Sequence, residues 1–208
     1  MKHRYSIAII ITITSLIIGC NLPQFNNPKM PVNTLTQDGY MISGFVAGNG
    51  INGIAWKDIG AEALNHGYTK KEGIQPSDLA ATYRAIFGAG KVSEYSDVSK
   101  ELIYDSLKSN KAVIVYMLVT SIDEGKTYKP STIGDNSFSQ FARVIGMDWD
   151  KQDVHIQNTL SGENTWILSV NDLKQSMYDP GKRAQIKPSE SIDPEKVNNW
   201  GITIDQDK

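Results

Sequence analysis

The stretch from Asp135 to Asn158, DNSFSQFARVIGMDWDKQDVHIQN, limits what this chain can become more than any other part of it. Phe141 to Met147 is a β-branched, apolar run, Asp148 to Asp153 is charged and turn-rich, and Val154 to Asn158 alternates as a half-buried strand does. Together they predict a β-hairpin. A second strong strand signal comes before it: Lys111-Ala-Val-Ile-Val-Tyr-Met-Leu-Val-Thr120 is apolar, β-branched and long enough to form the centre of a sheet. Thr165 to Leu168 predicts a further strand. Tyr40 to Val46, Lys91 to Tyr95 and Gly201 to Ile204 predict short or weak ones.

Helical periodicity dominates the first half of the chain. Trp56, Ile59, Gly60, Ala63 and Leu64 recur at i, i+3, i+4, i+7, i+8, with Asn52 as the expected N-cap and Asp58 near the first turn, where the helix dipole favours negative charge. A second helix follows Pro76-Ser-Asp and carries Leu79, Tyr83, Ile86 and Phe87 until Gly88-Ala-Gly90 stops it. A third, capped by Ser96 or Asp97, buries Val98, Leu102, Ile103 and Leu107, and a short fourth runs from Val170 to Met177. Ser121 to Ser137 reads as a polar loop. Helices first, then a strand, a loop, a hairpin and another strand predict an α+β fold, with an antiparallel sheet packed against N-terminal helices.

The N-terminus carries a different kind of signal. Two positive charges, Lys2 and Arg4, precede an apolar run from Tyr5 to Ile18 that is short for a membrane span and suits a signal peptide. Ile17-Ile-Gly-Cys20 resembles a lipobox, with Gly19 before the cleavage point and Cys20 to take the lipid. Residues 1–19 are thus expected to be a lipoprotein signal peptide. Residues 20–39, with Pro23, Pro28 and Pro31, would be a flexible tether, residues 40–178 the folded domain, and residues 179–208 a polar tail. Several acyl chains on Cys20 would anchor the protein stably, at ~0.8 kcal/mol per buried CH₂. Removing Lys2 and Arg4 leaves 19 basic against 23 acidic residues, a balance that argues against a nucleic-acid partner. Cys20 is the only cysteine, so the exported domain has no disulfide and no thiol nucleophile.

The order of motifs in Tyr40–Met177 resembles the papain-like peptidases, especially the C39-like group. The pieces are a Gly-rich turn leading into a helix, Ser77-Asp-Leu before an amphipathic helix, Leu107-Lys-Ser-Asn-Lys-Ala-Val-Ile-Val, Phe141-Ala-Arg-Val-Ile-Gly-Met-Asp, Val154-His-Ile-Gln-Asn, and Ser169-Val-Asn-Asp-Leu. In that family a histidine opens one strand of the hairpin and an Asn or Asp closes the next. The resemblance puts Gln140 at the histidine position and Asn158 at that of its orienting partner. It also implies a nucleophile at the start of the helix after Gly48, yet Gly44 to Tyr68 contains no Cys, Ser or Thr. Gln140 hydrogen-bonds but takes no proton near neutral pH. Hydrolysis by the family's route is therefore not expected, and no catalytic residue is assigned.

Other chemistry is thinly represented. His66 falls at a helix C-terminus, and His155 shares a strand face with Asp153. With no H-x-x-x-H or C-x-x-C spacing, neither a metal nor a cofactor is expected. Gly48-Asn-Gly-Ile-Asn-Gly53 matches a dinucleotide fingerprint in spelling but lacks the βαβ context; its N–H groups suit an anion or a peptide carboxylate better. Candidate binding residues are Gly53, Trp56, Trp149 at the hairpin turn and His155. The expectation is a bacterial lipoprotein of the cell envelope, tethered to a membrane through Cys20 and facing the periplasm from the outer membrane if the source is Gram-negative. Its catalytically inactive peptidase-like domain would bind a peptide or protein partner in the former cleft. The alternatives are a hydrolase using His155 with Ser121 or Ser161, and an immunity- or exclusion-type interaction lipoprotein.

Overall fold

The computed structural model describes residues 42–122, 127–131, 137–159, 165–177 and 199–207. The signal peptide, Cys20, the tether and Ser161 lie outside these residues. The described chain is an α+β domain built on one antiparallel sheet in the order β1-β7-β2-β4-β5-β6, with β3 paired to the far end of β2. The strands are Val92–Tyr95 (β1), Lys111–Ile122 (β2), Thr127–Pro130 (β3), Ser137–Asp148 (β4), Asp153–Gln157 (β5), Thr165–Ser169 (β6) and Gly201–Asp205 (β7). The helices are Ser43–Gly48 (α1), Trp56–Ala63 (α2), Pro76–Phe87 (α3), Lys100–Lys108 (α4) and Val170–Met177 (α5).

The continuous apolar run of β2 follows from its place in the middle of the sheet. Ala112, Ile114 and Tyr116 point into one core, with Phe45, Ile59, Leu79 and Tyr83 of α1 to α3 and Phe141 of β4. Val113, Val115 and Met117 point into a second, with Ile103 and Leu107 of α4 and Leu173 and Met177 of α5. A strand covered on both faces has no side left for polar alternation. The hairpin of β4 and β5 forms as the residues predict, with Asp148 opposite Asp153 and a register shift between Val144 and Gly146.

Several local expectations are corrected. Ser43 to Val46, expected in an edge strand, are in α1 instead, and every residue of that helix is buried. The alternation was misleading because Gly44 and Gly48, one helical turn apart, are small so that Leu79, Ile59 and Tyr83 can approach, not because one face meets water. Asn52 does not cap α2. Trp56 N–H donates to Asn49 Oδ1 at 3.0 Å instead, while Asn52 has a left-handed φ of 50°. Leu64, expected on the buried face, is 65 % exposed because α2 ends at Ala63 and a 3₁₀ turn follows. The cap of α4 is Ser99, whose Oγ accepts from Leu102 N–H at 3.1 Å. Within the expected polar loop, β3 pairs with β2. Gly201–Asp205, expected as a weak strand, lies between β1 and β2, and Trp200 beside it is buried.

Candidate functional site

The site forms where β4 outruns β5. Pairing of the two strands stops at Arg143 opposite Gln157, while β4 continues back along β2 to Ser137. Past that point the main-chain groups of Phe141 need other partners. Its N–H donates to Ser43 Oγ at 3.1 Å, and its carbonyl accepts from Thr159 Oγ1 at 2.8 Å. Ser43 is the first residue of α1, so a helix start and a hydroxyl are pinned to the strand one residue from Gln140. Tyr83 of α3 holds the helix from behind, donating its hydroxyl to Gly44 O at 2.5 Å.

Ser43, Gln140, Asn158 and Thr159 are all buried. With Gln157 opposite Arg143 and the Thr159 hydroxyl on the Phe141 carbonyl, the register sets Asn158 beside Ala142, on the same face of the sheet as Gln140. Gln140 is 1 % exposed, and among the described residues neither Oε1 nor Nε2 has a hydrogen-bond partner. A buried, unsatisfied primary amide costs about 1–3 kcal/mol per group, so this side chain is not explained by stability.

The register thus puts Gln140 and Asn158 on one face of the sheet, and the helix start pinned to the neighbouring Phe141 is a different one from that expected. The turn after Gly48 meets β4 at Arg143, through Asn49 O, not at Gln140. The hydroxyl-bearing helix begins at Ser43, one residue before the segment noted for having no nucleophile. A serine directly before a buried Gly-x-x-x-Gly pair was the available signal.

The remaining candidates lie apart from this cluster. Gly53 is exposed with φ of +77°, and Trp56 is half-buried against the first core. Trp149 is half-buried too, 4.8 Å from the Tyr104 ring and 4.7 Å beneath Lys100 Nζ, so it fastens the hairpin turn to α4. His155 stands in register with Gly146 and Ile167, five residues along β4 from Phe141, or about 16 Å at strand spacing. His66 bonds Glu62 at 3.1 Å on α2 and its following turn. Neither described histidine reaches Ser43, and among the described residues no cluster of His, Cys, Asp or Glu suits a metal.

No family model and no curated protein matches the chain. Among solved structures it is similar to a chain from Bacillus anthracis assigned as a C39-like peptidase, at a TM-score of 0.44 and 14 % identity, over 86 % of this chain and 96 % of that one.

Proposed function

We propose that this is a lipid-anchored protein of the bacterial cell envelope whose papain-like, C39-like domain binds a peptide or protein partner without hydrolysing it. The observation that carries the reading is Gln140. The resemblance sets it where such a site needs a proton acceptor, and it directly precedes Phe141, whose N–H donates to Ser43 Oγ. Removing the base from a nucleophile–base pair costs on the order of a millionfold in rate. Ser43 would attack as a neutral hydroxyl, a weak nucleophile with no group to take its proton. Asn158 hydrogen-bonds but supplies no base either.

What remains is a buried polar cluster at the end of a hairpin, suited to holding an extended chain by hydrogen bonds. The anchor rests on the charged start, the apolar run to Ile18 and the lipobox-like Ile17-Ile-Gly-Cys20. The experiment is to incubate the purified protein with a random heptapeptide pool and a fluorophosphonate. Retention of peptides, with no new termini by mass spectrometry and no adduct on Ser43, is expected. Peptide cleavage that is lost in a Ser43→Ala variant would overturn the reading. In cells, an alkyne-palmitate label should enter the wild type and not Cys20→Ser.

A further inference from the structure

Arg143 projects from the β4 face opposite to Gln140 and is 4 % exposed. A buried guanidinium has five N–H donors to satisfy and a charge to neutralise. Its bonds here are few and long: Nη1 to Asn49 O at 3.3 Å and Nη2 to Gln206 Oε1 at 3.4 Å, both to neutral acceptors. Nε has no partner. Among the described residues no carboxylate pairs with Arg143, whereas Arg84 has Glu94 and Lys111 has Asp205. Tyr83 is the titratable side chain that acts on the guanidinium, but burial raises its phenol well above the ordinary value, so it stays neutral. Burial also pulls the guanidinium down to about 10, which leaves it charged at neutral pH.

A second orphan lies beside the first. Gln206 gives its oxygen to Arg143, and its Nε2 is buried with no acceptor. Both unsatisfied groups are donors. The adjacent Gly48–Gly53 turn adds no free donor at these positions, because its N–H groups at Asn49, Gly50 and Gly53 are taken by the Val46, Ile54 and Gly50 carbonyls. Asn52 bonds the main chain at Asp205 and Asp207, which holds the segment carrying Gln206 against the turn.

We infer that Arg143 Nε–H and Gln206 Nε2–H are the donors of a binding site for a small carboxylate, separate from the Ser43–Gln140–Asn158 cluster. One edge of a guanidinium matches the two oxygens of a carboxylate, and the ligand's charge offsets the one the fold leaves uncompensated. The carboxylate belongs either to a free small acid or to the C-terminus of a peptide.

The test follows the Arg143 Nε–Hε resonance of the wild-type protein by ¹⁵N NMR. The titrants are acetate, N-acetylalanine and N-acetylalaninamide, at constant ionic strength made up with chloride. A saturating shift with acetate, absent with the amide, is expected; tighter binding of N-acetylalanine identifies a peptide terminus as the source. Thermal unfolding provides a second readout. A carboxylate at a hundredfold excess over its Kd should raise the wild-type midpoint by roughly 5–10 °C relative to chloride, and this gain should vanish in Arg143→Met. Gln206→Leu keeps the charge and loses one donor, so acetate should bind it roughly tenfold more weakly. A resonance that drifts without saturating, or an equal midpoint gain in a folded Arg143→Met, overturns the inference. So does an unchanged acetate affinity in Gln206→Leu.

Discussion

At the scale of single residues, β4 carries three of the six buried side-chain atoms that lack a hydrogen-bond partner among the described residues, two at Gln140 and one at Arg143. A core otherwise composed of Ile, Val, Leu and aromatic side chains had no packing reason to keep either. Gln140 drew attention in the sequence only through the resemblance to C39-like peptidases, which puts it at the family's histidine position and Asn158 at that of the orienting partner. Arg143 drew none, since one basic residue inside Phe141–Met147 reads as a strand's solvent side, and only the α1–α2 turn folding over it makes it buried. Ser43 escaped for a related reason: a six-residue helix with two glycines has too little periodicity to be told from a strand. The amide at 140 gives a direct test of cost. Gln140→Met keeps the length of the side chain and removes both orphaned atoms, so urea unfolding should report a gain of about 1 kcal/mol in stability. A loss of similar size would mean that the amide is satisfied in solution and that the site is not waiting for a ligand.

At the scale of elements, the strands were more legible than the helix ends. A run such as Lys111–Thr120 needs only its own composition to be recognised, whereas a cap depends on which polar side chain bends back, and Ser99 prevailed over Ser96 and Asp97 for α4. Packing between helices was least visible. A Cβ added at Gly48 would stand 2.6 Å from the Tyr83 hydroxyl and 2.8 Å from Ile59 Cδ1. Tyr83 cannot swing aside without releasing Gly44 O. Replacing glycine by alanine inside a helix normally gains about 1 kcal/mol, but overpacking against a fixed ring costs about 1–3 kcal/mol. The clash should win, with Gly48→Ala losing about 1–2 kcal/mol in denaturant unfolding and displacing α1. Gly90→Ala, where nothing lies within 4 Å, should stay within about 0.5 kcal/mol of wild type.

At the scale of the whole molecule, the sheet is closed by its most distant segment. β7 pairs with β1 through Val92–Ile204 and with β2 through Ala112–Ile204, so residues separated by about half the chain meet at one side chain. The sequence hid this, because Gly201–Asp205 is five residues long and follows a polar stretch, and short strands declare themselves only through their neighbours. Ile204 and Ile167 make the argument testable, since they are the same residue in strands of different standing. Ile204 is fully buried between β1 and β2, while Ile167 on the edge strand β6 is 61 % exposed. Ile204→Ala should therefore cost about 2–5 kcal/mol, a large part of the 5–15 kcal/mol that holds a typical domain, and Ile167→Ala no more than about 0.5 kcal/mol. If β7 is integral to the cooperative unit, the Ile204→Ala transition followed by Trp fluorescence should coincide with that followed by far-UV circular dichroism. An early fluorescence change at Trp200, with the dichroism transition left where the wild type has it, would show instead that β7 detaches while the remaining sheet stays folded.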